Sequence, residues 1–260
     1  MAPRARKVAM CLMAHPDDCE ILAAGTLTLL AQKGWKIHIV SMTPGDGGSM
    51  DQGPQEIAAT RRREGAAAAK IIGATYTCVE SRDLYVTFDE KTLRRTLSIV
   101  RSIGPTLVFT HSLQCYMMDH EVTAQIARSA TFGYAVPNVA AGPIPPGSGV
   151  PYLYYADAVE GMDAYGQPIH PTTFVDISAA MTTKTRMLKA HASQRQWLLK
   201  HHGMDHYVTS MKQWNGRRGE QVGVKYAEGF RQHKGHPYPN DCVLKKQLGT
   251  FITHTNHIPV

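Results

Sequence analysis

KVAMCLMAHPDDCE, residues 7–20, decides how the rest of the chain is read. Its first eight residues are almost wholly apolar, and the next four bring His15, Asp17 and Asp18 together. An unbroken apolar run of this length reads as a strand buried on both faces, the pattern of a parallel sheet covered by helices. Two adjacent carboxylates at its end repel each other, so a cation or a chemical role should accompany them. HPDD alone also fits a helix N-cap, because aspartate caps helices and acidic residues favour the first turn.

The same alternation continues outward. A helix is expected from Asp18 to about Lys33, a second strand over WKIHIVSMT (35–43), and a glycine-rich loop over TPGDGGSMDQGP. A helix from about Gln55 to Ile72 leads to a third strand, ATYTCVE. The helix DEKTLRRTLSIVRSI then precedes a fourth strand, TLVFTH (106–111), and another helix begins near Asp119. Strands each followed by a helix indicate an α/β fold, Rossmann-like, with a mostly parallel sheet and helices on both faces. Such sheets bind ligands at the C-terminal ends of their strands.

Residues 1–135 are expected to form this core, within a single domain spanning 1–260. Residues 137–151 hold five of the fifteen prolines and read as a long loop, expected to act as a lid or to shape a pocket. Residues 152–260 should supply further strands (YLYYADAV, TFVDIS) and a helix from about Ser178 to His201.

Composition narrows the class. Hydrophobic residues make up 43% and charged residues 19%, as in ordinary globular proteins. No apolar run approaches the roughly 18 residues of a membrane helix, so no membrane partner is expected. The basic and then apolar N-terminus is short and runs straight into HPDD, which gives a cytoplasmic expectation. Five cysteines without a CxxC pair argue against a disulfide framework and a thiolate metal site. The net charge is +7, and from Lys184 onward 13 Lys and Arg stand against 4 Asp and Glu. No nucleic-acid motif accompanies them, so this surplus reads as solvated surface or a subunit contact in a homo-oligomer.

The constellation that carries chemistry is His15, Asp18 and His120, all at expected strand ends. Two imidazoles and a carboxylate suit Zn2+, and the same donors could take another divalent metal. Asp17, beside water activated at such a centre, is placed to act as general base.

These motifs resemble the LmbE-like or PIG-L-like N-acetylglucosaminyl deacetylases. AHPDD (14–18) is similar to that family's leading signature, and TPGDGG (43–48) to its Gly-acidic-Gly loop. RRREGAAAAKIIGA (61–74), MMDHE (117–121), HASQ (191–194) and YAEGF (226–230) resemble its later motifs. The resemblance implies a zinc-dependent hydrolase that removes the acetyl group from an N-acetylglucosamine-type amino sugar or glycoconjugate. It implies metal ligands His15, Asp18 and His120, base Asp17, and Asp119 orienting a ligand. Gly45, Asp46, Gly47, Arg61 and Met117 are candidates for contact with substrate.

One position departs from the family. It usually writes His-Pro-Asp-His where this chain has Met117, Met118, Asp119 and His120. Methionine cannot donate a proton, so Tyr116, His111 and His191 become candidates for that role or for oxyanion stabilisation. Otherwise Asp17 shuttles the proton alone. The alternatives are an amidase acting on a non-sugar or natural-product N-acyl group, a catalytically weak sugar-binding protein, and a nucleotide- or nucleic-acid-binding Rossmann protein, against whose dinucleotide version stands the lack of a GxGxxG after the first strand.

Overall fold

In a computed structural model of the protein, residues 6–139, 141–195 and 206–255 are described. Strand β1 (Val8–Met13) lies between β2 (Lys36–Ser41) and β4 (Leu107–Thr110), and pairs parallel with both. Strand β3 (Thr75–Cys78) extends the sheet beyond β2, and β5 (Tyr152–Ala156) extends it beyond β4, again in parallel. The eight-stranded order is β3-β2-β1-β4-β5-β7-β6-β8. Its last three members, β6 (Thr173–Asp176), β7 (Ala227–Gln232) and β8 (Ile252–His254), pair antiparallel.

The burial of β1 explains its composition. Ala9, Cys11 and Met13 pack into the core on one face of the sheet, and Met10 and Leu12 into the core on the other. Both sides of the strand are therefore dry, and an alternating pattern would leave polar groups buried. The second core is covered by α4 (Glu90–Ile103) and α5 (Met118–Gly133). The first is covered by α1 (Asp18–Leu22), α2 (Ala24–Gln32), α6 (Met181–Lys189), α7 (His206–Glu220) and α8 (Val243–Leu248). Helix α3 (Pro54–Lys70) completes that face beside β3. No helix among the described residues is long and apolar enough to cross a membrane.

Two expected helices are interrupted. The one expected from Asp18 to Lys33 breaks at Ala23, which takes φ −140°. The break exposes the N-terminal amides of α2, and Glu228 of β7 accepts from Gly25 N at 2.8 Å and Thr26 N at 2.7 Å. Lys184 closes the arrangement at 2.6 Å from Glu228, with both side chains fully buried. A carboxylate arriving from the far end of the chain thus divides one helix into two. The helix expected from Ser178 to His201 is continuous over α6 and is interrupted at Ala190 and His191. Residues 192–195 are again helical, and residues 196–201 of that expectation, including Leu198 and Leu199, lie outside the described residues.

The Lys184–Glu228 pair gives a stability prediction. Glu228→Ala removes a helix cap and leaves a buried ammonium without its partner. We expect a loss of about 3–5 kcal/mol in denaturant unfolding, the usual cost of breaking a buried pair from one side. A change below ~1 kcal/mol, the scale of an exposed pair, would contradict the assignment.

The proline-rich segment is not where its lid role requires. Helix α5 starts at the C-terminal end of β4 and runs away from it, so residues 134–151 begin at the opposite edge of the sheet. Arg101, in the last turn of α4, donates there to the carbonyls of Val136, Val139 and Gly142 at 2.8 Å each. The loop then enters β5 at Tyr152, which pairs with Leu107 at the start of β4. It stabilises the base of the fold.

Candidate metal centre

The chain returns across the sheet between β3 and β4, which makes the β1–β4 boundary a topological switch point where a crevice opens. His15 follows β1, and His111 follows β4. Asp18 opens α1, while Asp119 and His120 lie in the first turn of α5. One donor atom each from His15, Asp18 and His120 falls within 4.8 Å of the others, and all three residues are buried.

Each donor is held from behind. Asp119 Oδ2 contacts His15 Nε2 at 3.3 Å and also accepts from Leu84 N at 2.7 Å. His15 Nδ1 is thereby turned toward Asp18, 3.3 Å from its Oδ2. Cys115 Sγ lies 3.2 Å from His120 Nδ1, so Nε2 of that ring faces Asp18. Asp18 Oδ2 accepts from His15 N at 2.7 Å. His111 stacks flat on His120 with ring centroids 4.0 Å apart, and its Nε2 accepts from Ala14 N at 3.0 Å.

The donor set fits a divalent cation. Burial raises the Asp18 carboxyl, but His120 and His111 outweigh it and hold the group well below its ordinary range. Burial pushes His120 down to about 3, so it presents the neutral imidazole that a metal requires. Burial opposes charge on His15 as well, yet its bonds to Asp119 and Asp18 raise it to about 10, so a cation held there would take the place of the His15 proton. Asp17, Asp18 and Asp119 are all buried, and Arg61 is the permanent cation that touches this group among the described residues. The excess of negative charge in a closed space is what a divalent ion offsets.

Asp17 is set apart from the three donors. It caps α1 with φ 108°, a left-handed conformation that costs a non-glycine residue about 1–3 kcal/mol and is typical of functional sites. Its Oδ2 accepts from Tyr207 Oη at 2.5 Å and from Arg61 Nη2 at 3.2 Å. Neither of these donors takes Oδ1. Arg61 also donates to Pro16 O at 2.7 Å, fixing the turn itself. Burial raises the Asp17 carboxyl, against the opposing pull of Arg61.

The structure separates the remaining candidates. Gly45 takes φ 78°, and a Cβ there would meet Arg61 at 2.5 Å, so the glycine loop is small because it lies directly on that side chain. Asp46 accepts from Asp83 N at 2.8 Å, and Gly47 N donates to Asp83 Oδ2 at 2.8 Å, which ties the loop to residues 82–83. His191 is fully buried behind the site, 3.4 Å from Glu20. Its neighbours Ser193 and Gln194 bind Glu64 of α3 and the Gly48 carbonyl. HASQ therefore anchors the inner wall. Tyr116 is exposed, with its ring edge-on to His120 at 5.6 Å. Met117 is half-buried at the N-cap of α5.

Three contacts had no signal in the sequence. Tyr207 reaches Asp17 from 190 residues away, Cys115 buttresses His120, and Glu20 pairs with His191. An isolated tyrosine or cysteine in an ordinary helix or loop carries no motif. Only the packing of α7 and of the loop before α5 reveals their roles.

Residues 10–131 match the family model PIG-L: GlcNAc-PI de-N-acetylase. Among characterised proteins, 4-oxalmesaconate hydratase of Pseudomonas putida is 26% identical over 248 residues, 87% of this chain and 89% of that one. Diacetylchitobiose deacetylase of Thermococcus kodakarensis is 24% identical over 238 residues, covering 86% and 82%. The crystal structure of the 4-carboxy-2-hydroxymuconate hydratase from Pseudomonas putida superposes with a TM-score of 0.73 at 25% identity, over 91% of this chain and all of that one. The N,N'-diacetylchitobiose deacetylase from Pyrococcus horikoshii gives 0.74 at 25% identity, over 91% and 88%. Residues 10–131 are thus similar to a PIG-L family domain, and the relatives along the chain include both a deacetylase and a hydratase.

Proposed function

We propose that this PIG-L family protein is a zinc-dependent N-deacetylase acting on an N-acetylglucosamine-type sugar or glycoconjugate. The observation that carries the reading is the His15–Asp18–His120 donor set beside a separately held carboxylate, Asp17. Deacetylase relatives over more than four-fifths of the chain support it. When bound, the ion would supply Lewis acidity to the amide carbonyl and make water acidic enough to lose a proton near neutrality.

The chain's own groups do the rest. Asp17 accepts the proton from the attacking water through the carboxylate that Tyr207 and Arg61 hold in place. Water oxygen bonds to the amide carbon, the C–N bond breaks, and the proton taken by Asp17 passes to the leaving nitrogen. The products are acetate and a free amine. His111 and His191 are both buried, with His111 engaged by Ala14 N and His191 facing Glu20, so neither is presented to an incoming amide. Asp17 therefore acts as the shuttle, and Tyr116 at the open side of His120 is the side chain available to hydrogen-bond the oxyanion.

Tyr207→Phe tests the support of the base. Losing one charge-assisted hydrogen bond should lower kcat by about 10–100-fold, with KM and metal content nearly unchanged. An unaltered kcat would remove Tyr207 from the mechanism.

A second reading has its own support. The hydratase relative covers more of this chain, and at higher identity, than the Thermococcus deacetylase. Water addition to a carbon–carbon double bond conjugated with a carboxylate uses the same base and has no leaving amine to protonate. That agrees with methionine at 117. A panel of N-acetylated sugars and unsaturated dicarboxylates, given to the zinc-loaded protein, separates the two. Acetate with equimolar amine supports the deacetylase. Loss of enoate absorbance without acetate replaces it with the hydratase.

A further inference from the structure

Part of the cationic surplus in the last third of the chain is gathered in one place. A cleft of about 420 Å³ opens between α6, α7 and the turn 221–226 that leads into β7. Arg186, Lys189, Lys212 and Lys225 line it, four of the thirteen Lys and Arg from Lys184 onward. All four are exposed, and no acidic side chain among the described residues lines the cleft with them. Asp176, close to the rim, is already engaged by Ser178 N at 2.9 Å. Lys184, on the buried side of α6, is matched by Glu228, whereas the four cations of the cleft have no such partner among the described residues.

The backbone beneath these side chains is fixed. Thr182, Arg186 and Lys189 share one side of α6, with Met187 and Leu188 buried on the other. Gly219, in the last turn of α7, lies so close to the following turn that a Cβ would fall 2.5 Å from Val224 O and 2.8 Å from the Lys225 carbonyl carbon. Tyr226 N donates to Ser178 Oγ at 3.2 Å, and Ile177 N donates to Tyr226 O at 3.0 Å. Lys225 is thus held between the end of α7 and the segment before α6, with its Nζ 5.6 Å from the centre of the Tyr226 ring. The C-terminal carbonyls of α6 favour Arg186 and Lys189 in its last turn. They do not account for Lys212, in the middle of α7, or for Lys225. Like charges converging on a concave surface repel one another and attract a counter-ion, and an anion in the cleft would offset that repulsion.

We propose that this cleft binds the oligophosphate group of a small molecule, at a site separate from the metal centre. Its volume is that of a small-ligand pocket. Arg186 offers a planar fork that pairs two phosphate oxygens, and the three lysines offer point charges from α6, α7 and the turn. Ser178 Oγ accepts from Tyr226 N, which leaves its O–H to donate to a ligand oxygen. A monophosphate or a single carboxylate would leave most of the positive charge unmatched. The backbone of a nucleic acid calls for contacts strung along an extended surface, whereas these cations converge on one hollow.

The test titrates tripolyphosphate, inorganic phosphate and adenosine triphosphate into the full chain loaded with zinc, by calorimetry at low ionic strength. Arg186→Gln and Lys212→Gln each remove one cation from the cleft. Arg128→Gln is the charge-matched control, an exposed cation of α5 on the opposite face of the sheet. Circular dichroism checks that each variant is folded. We expect tripolyphosphate to bind at about one per chain, and about tenfold more tightly than inorganic phosphate. Arg186→Gln and Lys212→Gln should each weaken it about tenfold, the scale of one charge-assisted hydrogen bond, and Arg128→Gln should leave it unchanged. Adenosine triphosphate that binds more tightly still, and is weakened by the same two variants, supports the proposal with a nucleotide as ligand. Equal affinities support it with the phosphate chain as the part recognised. Failure to bind overturns the proposal. So does binding that all three variants weaken equally, which is attraction by net charge, and binding that none of them weakens, which is ligation of the zinc. A mixed-sequence RNA oligonucleotide that outbinds tripolyphosphate and is lost in both cleft variants would assign the cleft to a nucleic-acid backbone instead. Self-association that Lys212→Gln dissolves, without tripolyphosphate binding, would assign it to a second copy of the chain and overturn the proposal as well.

Discussion

Asp17→Asn is expected to lower kcat by about 10²–10⁴-fold, the usual contribution of a positioned base, and to leave metal content unchanged. The amide is nearly isosteric with the carboxylate. Its oxygen can still accept from Tyr207 Oη and Arg61 Nη2, the two donors that hold Oδ2. Asparagine also tolerates the left-handed backbone at this position. The substitution thus removes basicity and little else. His15, Asp18 and His120 are untouched, so elemental analysis should give the same metal occupancy for variant and wild type. A variant that loses its metal and regains full activity on reloading would show that Asp17 is a ligand, and the roles of Asp17 and Asp18 would have to be exchanged.

Removing the metal should have the larger effect. The donor set implies about one divalent ion per chain, zinc under the proposed function. Chelation should abolish turnover, and added zinc should restore it. His120→Ala should do the same in a form that zinc does not rescue. It deletes one of three donors and leaves Asp18 and Asp119 facing His15, with His111 beside Asp18. Full activity in metal-stripped wild type, or tight metal retention by His120→Ala, would sink the assignment.

The core of the fold was legible because its signals are local. The apolar runs of β1, β2 and β4 are each bounded by a turn, and a helix period follows each of them. HPDD at the end of β1 and Asp119–His120 beyond β4 could be paired because parallel neighbours bring their C-terminal ends together. In the second half of the sheet β5 and β6 were legible as the runs YLYYADAV and TFVDIS, but β7 and β8 gave no such signal. Strand β7, AEGFRQ, contains a glutamate, a glycine and an arginine, and it runs antiparallel between β5 and β6. Glu228 interrupts its apolar pattern for a reason that lies elsewhere: it caps α2 and neutralises Lys184.

The sequence by itself determined the α/β class and the parallel core around β1, and it singled out His15, Asp18 and His120 as candidate donors, which the fold brings together; each depends on hydrophobic period or on motifs a few residues long. It also marked Met117 as a departure from the family pattern. Tertiary structure alone decided what surrounds those donors. It split the first helix, removed the proline-rich loop from the mouth of the site, buried His111 and His191, and brought Tyr207 and Arg61 onto one oxygen of Asp17. These outcomes depend on contacts between side chains tens to hundreds of residues apart. Such contacts leave no periodic trace in the chain, because a single polar partner is chosen by the geometry of the packed helices and strands around it.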